Sequence, residues 1–347
     1  MRSLHHTIFS AVTAILLIAA SANAYSQSNF KVLAVRGAVT NGKGGQITIG
    51  QKIDTKDKLT VKGSGYVSLA HSNGKTVEIR KAGTYAVKEL EAKASKSGSS
   101  ASSKYAKYVV NELTEVKEPI NFSDTRRSHM RTTGSVDRAA GNDVSFWDSV
   151  LNVVGAPGEL QALAAKDADA VASGDLLAVI MPRHTRLLDD SVAFVWHKSP
   201  KATQYKVVIL SRQDAVVHSF VTSDTVYIAS VASLGLQMGE LYYWHLESAS
   251  DPGYHTDEYA LYALAGDERS TTEALVGDVM AEYDAGEEAI GKLILAAAFE
   301  DMGLFYDAHK AYKHAIELAP DIQNYKRLYA EFLQRQGLNS DAYAAYK

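Results

Sequence analysis

The sequence predicts a multidomain chain in which two all-β domains precede an all-α array of helical hairpins. Three observations carry this. Residues 30–90 consist of short β-branched or alternating runs broken by glycines and Asn-Gly turns. Residues 177–265 hold three alternating strands anchored by aromatic residues. The last 45 residues repeat at a period of 34: Gly303-Leu304-x-x-Asp307-Ala308-x-x-Ala311-Tyr312-Lys313 returns as Gly337-Leu338-x-x-Asp341-Ala342-x-x-Ala345-Tyr346-Lys347, identical at seven of eleven positions. A period of that length marks paired antiparallel helices.

The elements follow in chain order. Residues 1–24 read as a secretory signal peptide, with Arg2, an apolar run Ile8–Ala20 and the small-x-small site Ala22-Asn23-Ala24. The run is shorter than the roughly 20 apolar residues a bilayer span needs. The mature chain is therefore expected to have no transmembrane segment and to be periplasmic or secreted. With no cysteine there is no lipobox, no disulfide, no thiol nucleophile and no thiolate zinc site. Stability must come from burial of a 46% hydrophobic composition.

Charge is divided unevenly. Residues 25–138 hold 20 Lys/Arg against 10 Asp/Glu, and residues 139–347 hold 15 against 30. The basic front could meet an anionic envelope polymer or an acidic partner, and the acidic rear could meet cations. Two solvated surfaces explain the same numbers.

In the first domain, strands are expected at Phe30–Val35, Gln46–Ile49, Lys58–Val61, Tyr66–His71 and Thr76–Ile79, with a tight turn at Asn73-Gly74. Gly37-x-Val39, Ile49-Gly50-x-x-Ile53, Asp57-x-Leu59, Gly65-x-Val67-x-Leu69 and Asn73-Gly74-x-x-Val77-x-Ile79 resemble the FecR-like domain, over residues 30–91. That resemblance implies a periplasmic β-domain. Family members that regulate anti-sigma signalling do so through a membrane helix and a cytoplasmic tail; neither is legible here, so the signalling role is not carried over.

Residues 92–176 read as linker and helical connector, partly disordered. Residues 92–103 are a Ser/Ala/Lys-rich linker, a helix is expected at Lys104–Val116, and the basic stretch 121–143 reads as disordered. Trp147–Val154 and Leu160–Ala172 are weaker helical segments on either side of Pro157-Gly158.

Residues 177–266 are expected to form a β-sandwich. Phe194-x-Trp196, Ala202-x-x-Tyr205-x-Val207 and Gly239-x-x-Tyr242-x-Trp244-x-Leu246 resemble a fibronectin type III or other immunoglobulin-like module. Trp196, Tyr205, Tyr242 and Trp244 fall on the inward face, where core packing outweighs a glycan-stacking role. Tyr243 and His245 point the other way and are candidates for a surface contact.

Residues 272–347 are similar to tetratricopeptide (TPR) repeats, with Thr272–Asp284 as a capping helix before two copies of the motif. In that family the first helix of each repeat lines a concave groove that grips another polypeptide. The resemblance implies a groove of Leu293, Ala297 and Glu300 in one repeat and Asn324, Arg327 and Glu331 in the next. Two repeats are fewer than a free-standing solenoid needs, so the array is expected to lean on the sandwich or on another chain.

Nothing advertises catalysis. There is no Gly-x-Ser-x-Gly, His-Glu-x-x-His or Walker loop. Gly42-Lys43-Gly44-Gly45 reads as a hairpin turn, and His255-x-Asp257-Glu258 as a polar loop. His309 and His314 lie off the i, i+4 spacing a shared metal favours. Arg126, Arg127, Arg131 and Arg138 carry no interleaved aromatics, so nucleic-acid binding is not expected. The reading is a non-enzymatic, cofactor-free scaffold or adaptor of the bacterial envelope that binds a protein partner. The alternative is a binder of peptidoglycan or another anionic polymer through the basic β-domain.

Overall fold

The computed structural model describes residues 29–94, 100–115, 177–283 and 288–346. The signal-peptide region, the basic stretch 121–143 and the two helical segments expected within 147–172 lie outside them.

Seven short strands open the chain: β1 (Phe30–Arg36), β2 (Val39–Asn41), β3 (Lys52–Ile53), β4 (Lys58–Val61), β5 (Tyr66–His71), β6 (Thr76–Ile79) and β7 (Gly83–Ala86). They form one sheet of order β3-β1-β5-β6 and a second of order β2-β4-β7. Alternation places Val32, Val39, Leu59, Val61, Val67 and Leu69 in a common core. Gln46–Ile49 is not a strand: Gln46 makes a single bridge to Thr40, because Gly44 and Gly50 turn the chain at positive φ on either side.

Helix α1 (Val87–Ala94) sinks Val87 and Leu90 into that core, and α2 (Ser100–Thr114) follows. The expected linker at 92–103 is therefore helical at both ends. Ala92–Ala94 close α1, and Ser100–Ser103 open α2. Gly74 lets α2 approach: its φ is +94°, and an added Cβ would lie 3.3 Å from the Ser103 Cα.

Nine strands make the middle region: β8 (Val179–Met181), β9 (Thr185–Leu187), β10 (Ser191–Trp196), β11 (Tyr205–Ser211), β12 (Val216–Thr222), β13 (Val226–Ser230), β14 (Leu241–Ser248), β15 (Asp251–His255) and β16 (Tyr259–Ala263). A sheet of order β13-β10-β8 faces one of order β12-β11-β14-β16-β9, with β15 beside β14. Side chains from both sheets meet in one core. Phe194 stands edge-on to Trp244 at 4.7 Å and Trp196 to Tyr205 at 5.6 Å, each pair adding about 0.5–1.5 kcal/mol beyond its buried area.

The chain ends in α3 (Gly266–Tyr283), α4 (Ala289–Asp301), α5 (Phe305–Leu318), α6 (Gln323–Arg335) and α7 (Asn339–Tyr346). The 34-residue repeat has a physical cause in their ends. Gly303 and Gly337 sit at positive φ after α4 and α6. The Leu304 and Leu338 amides then bond back to the Phe299 and Leu333 carbonyls, each at 2.8 Å. Both are glycine-closed helix C-termini of the same kind.

The expectation of an all-α hairpin array standing after two all-β domains does not hold. Helices α3 to α7 are short, 8–18 residues each, and although α4 packs on α5 and α6 on α7, they do not stand apart from the rest of the chain. Helix α2, from the middle of the chain, packs against α3, α4 and α6 on one side and β1 on the other. One apolar core runs from Leu33, Ala34 and Tyr66 of the first sheets through Val109 and Leu113 of α2 into the terminal helices. Helix α4 buries eleven of its thirteen residues, whereas a helix lining an open groove keeps one face wet. Its sequence, Ala-Ile-Gly-Lys-Leu-Ile-Leu-Ala-Ala-Ala-Phe-Glu-Asp, is apolar nearly all round, as suits a helix enclosed on every side. The capping helix starts at Gly266 rather than Thr272.

Polar contacts tie the regions together. Arg186 Nη1 donates to the Met302 carbonyl at 2.9 Å and Arg183 Nη1 to the Gln336 carbonyl at 2.7 Å. Two sandwich arginines thus satisfy the open carbonyl ends of α4 and α6. At the other end of α4, the Ile290 amide donates to Glu78 Oε1 of β6 at 2.7 Å. Among the described residues no helix is long and apolar enough to cross a membrane.

Candidate interaction surfaces

Of the six residues expected to line a groove, Leu293, Ala297, Glu300 and Arg327 are buried, and Asn324 and Arg327 meet the end of α2. Leu293 and Ala297 lie on α4 and are buried. Asn324 Nδ2 donates to the Leu113 carbonyl at 3.3 Å, and Arg327 Nη2 to the Glu112 carbonyl at 2.5 Å. These two side chains cap the last turn of α2, where helix carbonyls lack partners of their own. Arg327 also pairs with Glu331 at 3.2 Å.

Glu300 sits deeper. It accepts from Arg335 Nη2 at 2.8 Å and from the Tyr312 hydroxyl at 3.2 Å. Burial opposes the charge on Arg335, but the Glu300 carboxylate holds its pKa above the ordinary arginine value. At the start of α2, Lys104 and the Tyr105 hydroxyl each reach Asp301 Oδ2 at 2.9 Å. The groove-facing set therefore holds a polypeptide helix that belongs to the same chain.

Tyr243 and His245 lie on the outer face of the larger sandwich sheet. Tyr243 is not exposed: it packs with Val208, Leu210 and Ala260 in a satellite cluster. His245 Nε2 is 3.5 Å from Glu247 Oε2, and Glu247 pairs with Lys206 at 2.8 Å. Burial raises the Glu247 pKa, but the Lys206 ammonium outweighs it and holds the carboxyl below its ordinary value. The His255 ring lies 6.0 Å from that of His245. No group of three or more His, Cys, Asp or Glu among the described residues is arranged to hold a metal ion.

A second acidic group is perturbed where the first domain meets α4. Glu288, just before α4, has its pKa pushed up to about 7 by burial and by Glu78, with Arg80 offsetting part of the rise. Arg80 itself pairs with Glu78 at 2.8 Å. Of these groups it is Glu78 that caps α4, by accepting from the Ile290 amide; Glu288 makes no side-chain capping hydrogen bond.

The surface that sequence reasoning missed is the side of the sandwich formed by β12 and β13. Each is the edge strand of its sheet. Val216 and Val221 on β12 are 62% and 54% exposed; Val226 and Ile228 on β13 are 48% and 69% exposed. Phe220 and Tyr227 stack between the two strands with centroids 3.6 Å apart and close the core beneath. Neither strand carries a charge or a proline, two of the devices that usually shield an edge from pairing. A register shift opposite Ile209 and Leu210 leaves His218–Thr222 as the regular stretch of β12. The signal was present as two uncharged β-branched runs, but exposure depends on strand order, which local pattern does not specify.

No family model matches the chain, and no curated protein matches it. The geometry alone bears on function.

Proposed function

We propose that this chain is an exported, non-enzymatic scaffold of the cell envelope that holds a protein partner at the β12–β13 side of its sandwich. The observation that carries this is the exposure of four large aliphatic side chains on two adjoining edge strands, each paired along one side only. Main-chain groups along such an edge can accept an extended segment from a partner, and flanking side chains then select it. Each valine or isoleucine fully covered adds about 1.5–3 kcal/mol. The export reading is supported by the signal-peptide pattern of residues 1–24 and by the resemblance of residues 30–91 to FecR-like domains.

The test is capture from envelope extracts by the purified mature chain, with Val221→Lys and Ile228→Lys as separate variants. One partner retained by the parent and lost by both variants supports the proposal. Equal capture by parent and variants refutes it. A second reading, binding of a wall or glycan polymer by the basic β-domain, is favoured by the threonine row across β2, β4 and β7 with exposed Lys58 beside it.

A further inference from the structure

The small sheet of the first domain presents an outward face with an unusual order. Thr40 lies directly opposite Thr60, and Thr60 opposite Thr84, across β2, β4 and β7. Gln46 continues the row through its bridge to Thr40. Residues directly opposite in antiparallel strands point to the same side. The next row, Val39 with Val61, points inward to the core, so the Gln46-Thr40-Thr60-Thr84 row points out. At about 4.8 Å per strand it spans roughly 14 Å. Thr60 and Thr84 share a hydrogen bond at 3.2 Å, which holds two of the hydroxyls in fixed positions.

Lysines bracket the row. Lys58 opens β4 two residues before Thr60 and, by alternation, shares its outward face; Lys62, two residues after Thr60 and just past the end of β4, continues the ladder through its amide bond to the Ala38 carbonyl. Along the strand they are about 13 Å apart. Both are exposed. Lys58 and Lys62 form no ion pair among the described residues. Asp57, the nearest acid in sequence, is engaged instead by the backbone amides of Gly42 and Lys58, each at 2.9 Å.

We infer that this face is a binding surface for an anionic polysaccharide, a chain of sugar rings bearing carboxylates. The row supplies hydroxyl and amide groups that both donate and accept, as sugar hydroxyls require. The bracketing ammonium groups supply charge complementarity at two separated points. Other polyanions fit less well. The face offers no aromatic ring for a nucleic-acid base to stack on, since Tyr85 packs against the core on the other side. Its largest apolar side chain is Ala86, which gives a protein interface no anchor. The surface is separate from the β12–β13 edge, so either can fail without the other.

The experiment uses the mature chain and measures binding to polygalacturonate, to neutral dextran and to inorganic polyphosphate. Polygalacturonate is expected to bind in a salt-sensitive way and dextran not at all. The Lys58→Glu/Lys62→Glu variant is expected to lose about tenfold or more in affinity. Lys107→Glu, an exposed change on α2 that alters net charge elsewhere, is expected to change little. Thr60→Val/Thr84→Val leaves charge and strand preference intact and is expected to weaken polygalacturonate binding severalfold while leaving polyphosphate binding unchanged. Unaltered affinity in the lysine variant would overturn the inference. So would loss of polyphosphate and polygalacturonate binding to the same degree in the Lys58→Glu/Lys62→Glu variant with no effect of the threonine changes, since that describes charge alone.

Discussion

The terminal helices and the β12–β13 side of the sandwich make opposite use of similar raw material. Both present apolar side chains at regular spacing. Around α4 and α6 that surface is closed by α2, with Asn324 and Arg327 capping the incoming helix and Asp301 holding its start. Along β12 and β13, Val216, Val221, Val226 and Ile228 remain in solvent. A binding surface is therefore identified by what covers it, not by its residue pattern. A face already satisfied within the chain contributes stability; a face left open is available to a partner.

The largest expected effect breaks the closed region. Glu300→Ala strands the buried guanidinium of Arg335 and is expected to cost about 3–5 kcal/mol, read as a fall in the urea midpoint at unchanged slope. Were α4 a wet groove helix, the same change would be nearly silent. Arg327→Ala comes next. It uncaps the Glu112 carbonyl and unpairs Glu331, for about 1–3 kcal/mol, and hydrogen exchange is expected to quicken first in the last turn of α2.

A third prediction sharpens the junction between the first domain and α4. The Glu288 pKa is raised by burial and Glu78, from 4.5 to about 7. The folded state therefore binds this proton more tightly than the unfolded chain. Its stabilising contribution is full below pH 4.5 and is lost as pH rises through about 7. Glu288→Gln is expected to remove that slope and to raise the melting temperature at pH 8. An unchanged difference curve between the two proteins across this range would contradict the assignment. The smallest stability effect belongs to the open edge, where Val221→Lys and Ile228→Lys are each expected to stay within about 0.5 kcal/mol of the parent while abolishing partner capture.

Much of the strand structure was legible locally. Lys58–Val61, Tyr66–His71 and Thr76–Ile79 alternate between glycine turns and fold as read. So do the aromatic strands that carry Trp196, Tyr205 and Trp244 into one core. The helix ends at Gly303 and Gly337 also announced themselves, because only a glycine closes a helix cheaply at positive φ. The repeat they create, however, invited a groove that does not exist as an open surface. The correction was available in α4 itself, whose Leu293-Ile294-Leu295-Ala296-Ala297-Ala298 run has no wet side. Placement of α2 was not available. Its contacts join residues more than 170 positions apart, such as Ser102 with Asp278, and no local pattern encodes them. Short elements such as β3, β7 and α1 were missed because their pairing, not their propensity, forms them.

The most direct test places a photoreactive side chain at one of two positions in the mature chain, Ile228 or Ala297, and irradiates it in the envelope. At Ala297 the account predicts crosslinks only within the chain, to α2. At Ile228 it predicts a crosslink to a second protein. Intermolecular products at Ala297 with none at Ile228 would contradict it.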